Sequence, residues 1–453
     1  MGNIIGAVRG QNGGRAYSCS QKVLHSDTTE GANKSEMHCP TYSNPIESKH
    51  EGEDKAEGQA VHRRCRAPIG SKLLPVIQEL QIIIETDPQL FMLFHTMFEE
   101  VPKPQPASGI LPVSLPGLQS YQDMLEALNV IIQQAPAYTT TLWAGFPINY
   151  EFREVMCTES GREAFLNEKV NAQFKKILNE WSAFLDSTDS VAVLSDDSSE
   201  GWFGAAAMRD MPTFVDDFEC DPSRPHHGFS SWGHFFTREL RAGARPIADP
   251  EDNKVVVSPC EASPYRIASG IKSVDRFWVK GQPYSLDHML AQDPLAAQFY
   301  GGSIYQAFLS AQSYHRWHSP VAGRIVKAYV QPGSYYSTAP SASDDKAPAE
   351  DSQAYLTAVA TRAMIFIEAA HPGIGLICFL PVGMAECSSC LITVTEGQQV
   401  EKGQELGMFR YGGSTFCLIF GPRTTLRFDL HGNETSLNGP NTLVNARIAT
   451  LSS

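Results

Sequence analysis

A serine, two histidines and a carboxylate in the second half of the chain could together activate a hydroxyl group. Ser414 stands in YGGSTFCLIF, His315 and His318 in YHRWHSPVAGRI, and Glu261 in VSPCEAS. A carboxylate can orient an imidazole, the imidazole can remove a serine proton, and the alkoxide can attack a carbonyl carbon. These residue types indicate a serine hydrolase if the carbonyl belongs to a substrate, or a chain that cuts itself if the carbonyl is its own.

The glycines before Ser414 make the second outcome chemically possible. Gly412 and Gly413 can adopt backbone conformations closed to other residues, so the Ser414 hydroxyl can approach the carbonyl of Gly413. Attack there moves the acyl group from nitrogen to oxygen, and elimination followed by hydrolysis leaves a pyruvoyl group with loss of ammonia. Its ketone would bind a substrate amine as a Schiff base and accept the electrons of a departing carboxylate. The simpler interpretation of Gly-Gly-Ser is an ordinary turn before a strand.

Each of these residues also has a simpler explanation. His315 and His318 are three positions apart, so in a strand their rings would face opposite sides, and buried histidines often only complete hydrogen bonds. Glu261 by itself is typical of a solvated or salt-bridged carboxylate. The two histidines with Cys387 and Cys390 resemble a zinc ligand set, but the histidine spacer is shorter than that of zinc sites. We therefore predict no metal, and a structural role for the Cys-Ser-Ser-Cys segment.

The elements that must position these residues are β-strands. From Lys254 onward the sequence changes to short β-branched runs separated by Gly and Pro, which are typical of strands. The predicted strands are KVVVSP, YRIAS, GRIVKAYV, MIFIEA, LICFLPV, LITV and STFCLIF. A polar Ser/Ala/Pro/Asp insertion within residues 328–355 predicts a long surface loop. The stretch 394–409 resembles carrier-protein hairpins, but Lys402 lacks the setting of a carrier lysine.

Amphipathic helices are predicted before this β-rich part. Residues 73–101 have apolar positions at helical spacing, with one helix ending and another starting at Asp87-Pro88. A second segment is predicted to begin with Ser120 as its N-cap and to end at Pro136. Residues 162–185 form a third long amphipathic segment. His95 lies on an apolar face, which favours a packed core histidine.

Composition limits the function classes. The chain has 453 residues, 42% of them hydrophobic, which is typical of a globular protein with two or three domains. Its net charge of -14 disfavours sequence-independent nucleic-acid binding. Ten cysteines without a secretion signal, and no apolar stretch long enough to span a bilayer, predict a soluble, cytoplasmic protein with reduced thiols.

Five segments taken together resemble the phosphatidylserine decarboxylase family of pyruvoyl enzymes. They occur in order over about residues 230–420: FFTRELRAGARPI, VSPCEAS, VKGQPYSLDHML, YHRWHSPVAGRI and FRYGGSTFCLIF. The helical segments QELQIIIETDP and MLFHTMFEEVP further resemble the soluble fungal, tryptophan-decarboxylase-like branch of that family. Two departures are visible, since the family usually has Asp-Gly at Glu261-Ala262 and Leu-Gly at Gly412-Gly413.

The resemblance implies a role for each site residue. Cleavage would fall between Gly413 and Ser414, and Ser414 would become the pyruvoyl group. His318 would be the base for self-cleavage, and Glu261 would take the carboxylate position of the processing triad. His315 would act in the decarboxylation cycle, in protonation of the product. The implied cofactor is the covalent pyruvoyl group, with neither pyridoxal phosphate nor metal.

The sequence thus predicts an α+β, self-processing decarboxylase. We expect a mobile tail (1–70), a helical domain (71–200) and a β-rich catalytic domain (201–453), cut into chains 1–413 and 414–453 that stay associated. The expected substrate is a free amino acid, with an aromatic one favoured, and phosphatidylserine is the main alternative. A serine hydrolase with an uncut Ser414 and a noncatalytic binding protein are the alternatives from other classes. Oligomeric state is left open.

Overall fold

A computed structural model of the chain describes most of the two predicted domains. The described residues are 72–101, 117–139, 145–196, 200–274, 284–310, 312–339, 348–387, 389–411, 414–437 and 439–452. The predicted tail, residues 1–70, lies outside these ranges, as do Gly412 and Gly413. The predicted boundary between residues 200 and 201 stays a prediction.

The N-terminal part of the described chain is helical, as predicted. The α-helices before residue 240 are α1 (Pro75–Thr86), α2 (Pro88–Glu99), α3 (Tyr121–Ile131), α4 (Pro147–Phe152), α5 (Glu159–Leu166), α6 (Glu168–Leu185), α7 (Ala205–Asp210), α8 (Phe214–Asp217) and α9 (Trp232–Phe236). None of the helices within the described ranges combines the length and the apolar character needed to cross a lipid bilayer.

Capping residues determine where these helices begin. Asp87 accepts backbone hydrogen bonds at the start of α2, and Ser120 accepts one from Asp123 at the start of α3, which confirms both predicted boundaries. α3 ends at Ile131, before Pro136. The predicted segment 162–185 is two helices, because Asn167 is extended and its side chain caps α6. A single polar residue therefore splits an otherwise continuous amphipathic pattern.

The prediction for His95 is wrong. Its side chain is exposed, lies 3.7 Å from the Glu99 carboxylate and stacks on Phe91 with ring centroids 6.3 Å apart. The neighbouring face of α2, with Leu90, Phe94 and Met97, supplies the core instead. At 100° per residue, His95 lies beside this buried stripe rather than within it.

The C-terminal part is built from antiparallel strands, which confirms the α+β class. Its strands are β1 (Val255–Val257), β2 (Ser263–Ser269), β3 (Ser303–Leu309), β4 (Arg316–His318), β5 (Gly323–Gln331), β6 (Arg362–Ala369), β7 (Leu376–Gly383), β8 (Ser389–Ile392), β9 (Gln399–Val400), β10 (Glu405–Arg410), β11 (Ser414–Phe420), β12 (Leu426–Phe428) and β13 (Arg447–Leu451). Two further α-helices are α10 (Leu286–Met289) and α11 (Pro348–Val359). All seven strands predicted from β-branched runs are present.

Three sheets arrange these strands. The largest has the order β2-β3-β11-β7-β6-β5-β9, and the two three-stranded sheets have the orders β4-β10-β8 and β1-β13-β12. β11 is fully buried and pairs along its whole length with β3 and β7. The predicted carrier-like stretch 394–409 contains β9 and β10, which pair in different sheets. The buried ammonium of Lys402 donates to the carbonyls of Asp249 and Asp252, both at 2.8 Å.

Three neighbouring strands of the largest sheet, β3-β11-β7, are joined along the chain to the three strands of a small sheet, β4-β10-β8, in the same order. The three connections between the two sheets therefore lie side by side. β3 continues into β4, β7 into β8 and β10 into β11, while β11 lies between β3 and β7 and β10 lies between β4 and β8. Leu309 and Gly383 are the partners of Ser414 on its two sides. We call this end of the two sheets, marked by Leu309, Gly383 and Ser414, the crossover corner.

The long surface loop predicted within residues 328–355 is wrong from Pro348 onward, while residues 340–347 of the insertion lie outside the described ranges. Helix α11 begins at Pro348 and carries buried Gln353, Ala354 and Leu356. Tyr336 and Ser337, before it, are also fully buried. The composition of the insertion is typical of a loop, but proline at the first helical position and the apolar residues that follow it support a packed helix.

Candidate active site

Ser414 is the first residue of β11, an interior strand of the largest sheet. Its side chain is fully buried, and its hydroxyl has no hydrogen-bond partner among the described residues. Buried hydroxyl groups are nearly always hydrogen-bonded, so one that is not is a candidate for chemistry. Side chains alternate along a strand, so Ser414 lies on the same face as Phe416, while Thr415 lies on the opposite face.

His315 is placed on the same side of the structure as Ser414. The Phe416 ring contacts Phe379 at 5.8 Å, and Phe379 contacts Trp317 of β4 at 6.1 Å, so this face of the large sheet packs against β4. His315 is two residues before Trp317, so the alternation of an extended chain places both side chains on the same side. His315 is fully buried and stacks on Phe236 with ring centroids 4.2 Å apart. It precedes β4, where its carbonyl accepts from the backbone N–H of Phe409.

His318 lies on the other face of β4, as the spacing of the two histidines predicts. Its Nδ1 donates to the carbonyl of Gly403 at 2.8 Å, and its Nε2 lies 2.9 Å from the Tyr314 hydroxyl. With Nδ1 protonated, Nε2 of the neutral ring is the acceptor for Tyr314. Burial lowers the pKa of His318 below its ordinary value, which favours this neutral form.

Glu261 is a buried carboxylate paired with an arginine. Arg245 donates to it through Nε, and the same guanidinium lies 2.8 Å from the Asp217 carboxylate. Burial raises the pKa of Glu261, and the Arg245 charge opposes that rise. The segment that carries Glu261, VSPCEAS, also contacts His318, because the backbone N–H of His318 donates to the Pro259 carbonyl at 2.8 Å.

We expect Arg245→Met to destabilise the protein by about 3–5 kcal/mol, because a buried ion pair that loses one partner leaves an uncompensated charge. The pKa of Glu261 would then rise further above its unfolded value of about 4.3. A folded state that holds more protons than the unfolded state loses stability as pH rises. Urea unfolding between pH 5 and 8 should show the free energy of unfolding decreasing with pH in this variant.

Arg241→Met is the matched control for this experiment. Arg241 comes from the same segment, but its hydrogen bonds go to the backbone carbonyls of Val215 and Cys220, and its ion pair, at 3.6 Å, is with the exposed carboxylate of Glu219. Its loss should not steepen the pH dependence. An equal slope in the two variants would contradict the assignment of Arg245 as the counter-ion of Glu261.

A second arginine holds the loop before the histidines. Arg238 is buried, donates to the carbonyls of Gln312 at 2.6 Å and Ser313 at 3.2 Å, and stacks on the Phe218 ring at 4.4 Å. Burial lowers the pKa of Arg238 to about 10, so its guanidinium stays protonated at neutral pH. It fixes the backbone that leads into His315.

Among the described residues, no hydrogen bond joins any two of the side chains of Ser414, His315, His318 and Glu261. Ser414 lies on the face of β11 that packs against β4, the strand that follows His315. His318 contacts the Pro259 backbone near Glu261, and Tyr314, its side-chain partner, interacts electrostatically with Glu261. Sequence analysis assigned no role to Arg238, Arg245 or Tyr314, although all three lie in the segments that carry the resemblance. It gave no signal for Glu386, a buried carboxylate after β7.

Comparisons with known proteins identify relatives of both the helical and the β-rich part of the chain. A family model described as phosphatidylserine decarboxylase matches residues 232–443, and a second model of that description matches residues 74–211. The chain is 42% identical over 302 residues to the decarboxylase iboD of Amanita muscaria, covering 63% of this chain and 86% of the relative. It is 37% identical over 367 residues to the L-tryptophan decarboxylase of Psilocybe cubensis, covering 76% and 80%.

More distant similarity extends to phosphatidylserine decarboxylase proenzymes. The chain is 31% identical over 224 residues to proenzyme 3 of Schizosaccharomyces pombe, covering 48% of this chain and 22% of the relative.

Proposed function

The chain belongs to the phosphatidylserine decarboxylase family, whose members are carboxy-lyases, and we propose that it is a self-processing pyruvoyl enzyme that decarboxylates a free aromatic amino acid. The observation that carries the proposal is the position of Ser414. This residue begins the interior strand β11 at the crossover corner, with a buried hydroxyl that has no described partner. Cleavage at Gly413-Ser414 would place the new N-terminal group at this corner.

The residues at Ser414 fit a pyruvoyl group. The site is dry, since Ser414 is fully buried and its face is covered by Phe416, Phe379 and Trp317. The group would supply a ketone that binds the substrate amine and accepts the electrons released with carbon dioxide. Because Ser414 is held by β3 and β7, the group would stay fixed in the sheet.

The proposed roles of the two histidines are those that the family resemblance implies. The neutral His318 ring can accept a proton during processing, and Tyr314 and the Glu261 segment hold its position. His315 is on the Ser414 face, packed against Phe236, where a proton donor to the substrate carbon is needed. Neither pyridoxal phosphate nor a metal is part of the proposal.

Similarity supports a free amino acid as the substrate. The match to L-tryptophan decarboxylase covers most of both chains, whereas the matches to phosphatidylserine decarboxylase proenzymes cover about half of this one. The test is to supply the cleaved protein with L-tryptophan, other free amino acids and phosphatidylserine vesicles, and to measure carbon dioxide release. Release from phosphatidylserine alone would contradict the proposed substrate class.

We expect the 414–453 fragment to remain bound after cleavage. It contributes β11, which is hydrogen-bonded on both sides, and β13, which pairs with β1. Leu418→Ala should weaken this association by about 2–5 kcal/mol, because it leaves a cavity in the core. Native gel filtration followed by mass spectrometry measures the share of fragment retained as urea is added.

Leu443→Ala is the control for fragment retention. Leu443 is on the same fragment but is 48% exposed. This variant should retain the fragment like the wild type. Release of the wild-type fragment in buffer without urea would contradict the expectation.

A further inference from the structure

Glu386 lies in the middle of a connection that spans the crossover corner. It follows β7, whose last residue, Gly383, is opposite Ser414, and it precedes β8, whose first residue, Ser389, is opposite Arg410. The β10–β11 connection joins Arg410 to Ser414. The two connections therefore start and end at paired positions, so Glu386 belongs to a connection at the same end of the sheets as the start of β11.

Only one of the two carboxylate oxygens of Glu386 has a described partner. Oε1 accepts from the backbone N–H of Asn149 in α4 at 2.8 Å. Oε2 is buried and has no hydrogen-bond partner among the described residues. The hydroxyl of Tyr336, which interacts electrostatically with Glu386, also has none within the described chain.

Glu386 differs from the other buried carboxylate of the site. Glu261 has Arg245 as its counter-ion, whereas no Lys, Arg or His in the described chain forms an ion pair with Glu386. Burial raises the pKa of Glu386 to about 7. Burying a carboxylate without a cation is costly, so the site favours either a proton or a positively charged ligand.

We propose that Glu386 binds the ammonium group of the substrate and accepts one of its protons at Oε2. This inference rests on the proposed function, because an amino-acid substrate enters with a charged amine and only the neutral amine has the lone pair that attacks a ketone. The proton leaves the substrate nitrogen and forms an O–H bond at Glu386. The nitrogen then keeps the electron pair of the broken N–H bond.

The contact with α4 gives this binding site its rigidity. Asn149 fixes one oxygen, so the other is held in one direction rather than free to rotate into solvent. Substrate binding would thereby depend on the helical part of the chain as well as on the sheets. A substrate ammonium would satisfy the oxygen that the protein leaves without a partner.

The test uses Glu386→Gln, which keeps the size of the side chain and an oxygen for Asn149 but removes the charge. Cleaved protein is mixed with tryptamine, a cationic amine with no carboxylate to lose, and with cyanoborohydride. Mass spectrometry of the 414–453 fragment measures the rate of capture. Phenylhydrazine, which is uncharged at neutral pH, is used in a parallel reaction.

We expect Glu386→Gln to capture tryptamine about 10- to 100-fold more slowly than the wild type, because a charge-assisted hydrogen bond is lost. Capture of phenylhydrazine should be unchanged. Glu386→Asp should recover part of the tryptamine rate, since the charge is restored. Glu368→Gln removes an exposed carboxylate of β6, in the largest sheet. This variant should capture both probes normally.

Two results would overturn the role of Glu386. Normal tryptamine capture in Glu386→Gln would show that the charge is not used, and equal loss with both probes would indicate a structural role in holding α4. The proposed function fails separately, and this role with it, if the wild-type fragment reacts with neither probe.

Discussion

Ser414→Ala is expected to yield a full-length chain without decarboxylase activity. Alanine keeps the Cβ atom and the strand pairing of β11 but removes the hydroxyl that would attack the Gly413 carbonyl. The fold should survive, because the Ser414 hydroxyl has no described hydrogen bond to lose. A denaturing mass spectrum should show one uncut chain, whereas the wild type should give a 414–453 fragment lighter by one ammonia than a serine N-terminus predicts.

Thr415→Val is the matched control, since it removes the neighbouring hydroxyl on the opposite face of β11. The Thr415 hydroxyl donates to the Ala307 carbonyl and accepts from Gln306, so its loss should cost about 1–3 kcal/mol of stability but should leave cleavage intact. Cleavage that persists in Ser414→Ala would exclude Ser414 as the processing nucleophile.

The strands and the helix starts could be predicted from sequence because both are encoded locally. The β11 run STFCLIF is apolar throughout, as a strand buried on both faces requires, and Ser120 precedes a helical pattern as an N-cap does. The helix break at Asn167 is also encoded locally, but one capping residue is a weaker signal than the amphipathic pattern that continues on both sides of it. His95 was mispredicted because a boundary position on a helix differs from a core position by one step of rotation.

The partners of the site residues could not be predicted, because distant pairing creates them. Glu261 pairs with Arg245, and the His318 ring donates to the Gly403 carbonyl, which the pairing of β10 with β4 brings close. β4 itself has only three residues, too few for a recognisable alternation. Glu386 gave no signal for a similar reason, since its importance depends on the connection in which it lies and on α4.

The two histidines should separate processing from turnover. His318→Ala is expected to remain largely uncut, because it removes the base whose low pKa keeps it neutral and able to accept a proton. His315→Ala is expected to be cut but to turn over about 100-fold or more slowly, since general acid catalysis typically contributes about 10²–10⁴-fold. The mass spectrum reports cleavage, and carbon dioxide release per mole of fragment reports turnover.

The geometry also defines the result that would contradict this assignment. The register of β4 with β10 places His318 opposite Glu405, at the end of β10 far from Ser414, and places His315 beside Phe409, five residues before Ser414. If His315→Ala blocks cleavage while His318→Ala is cut normally, the histidine on the Ser414 face is the processing base. In that case His318 holds Tyr314 and the 403 turn in place, and Tyr314→Phe should mimic His318→Ala.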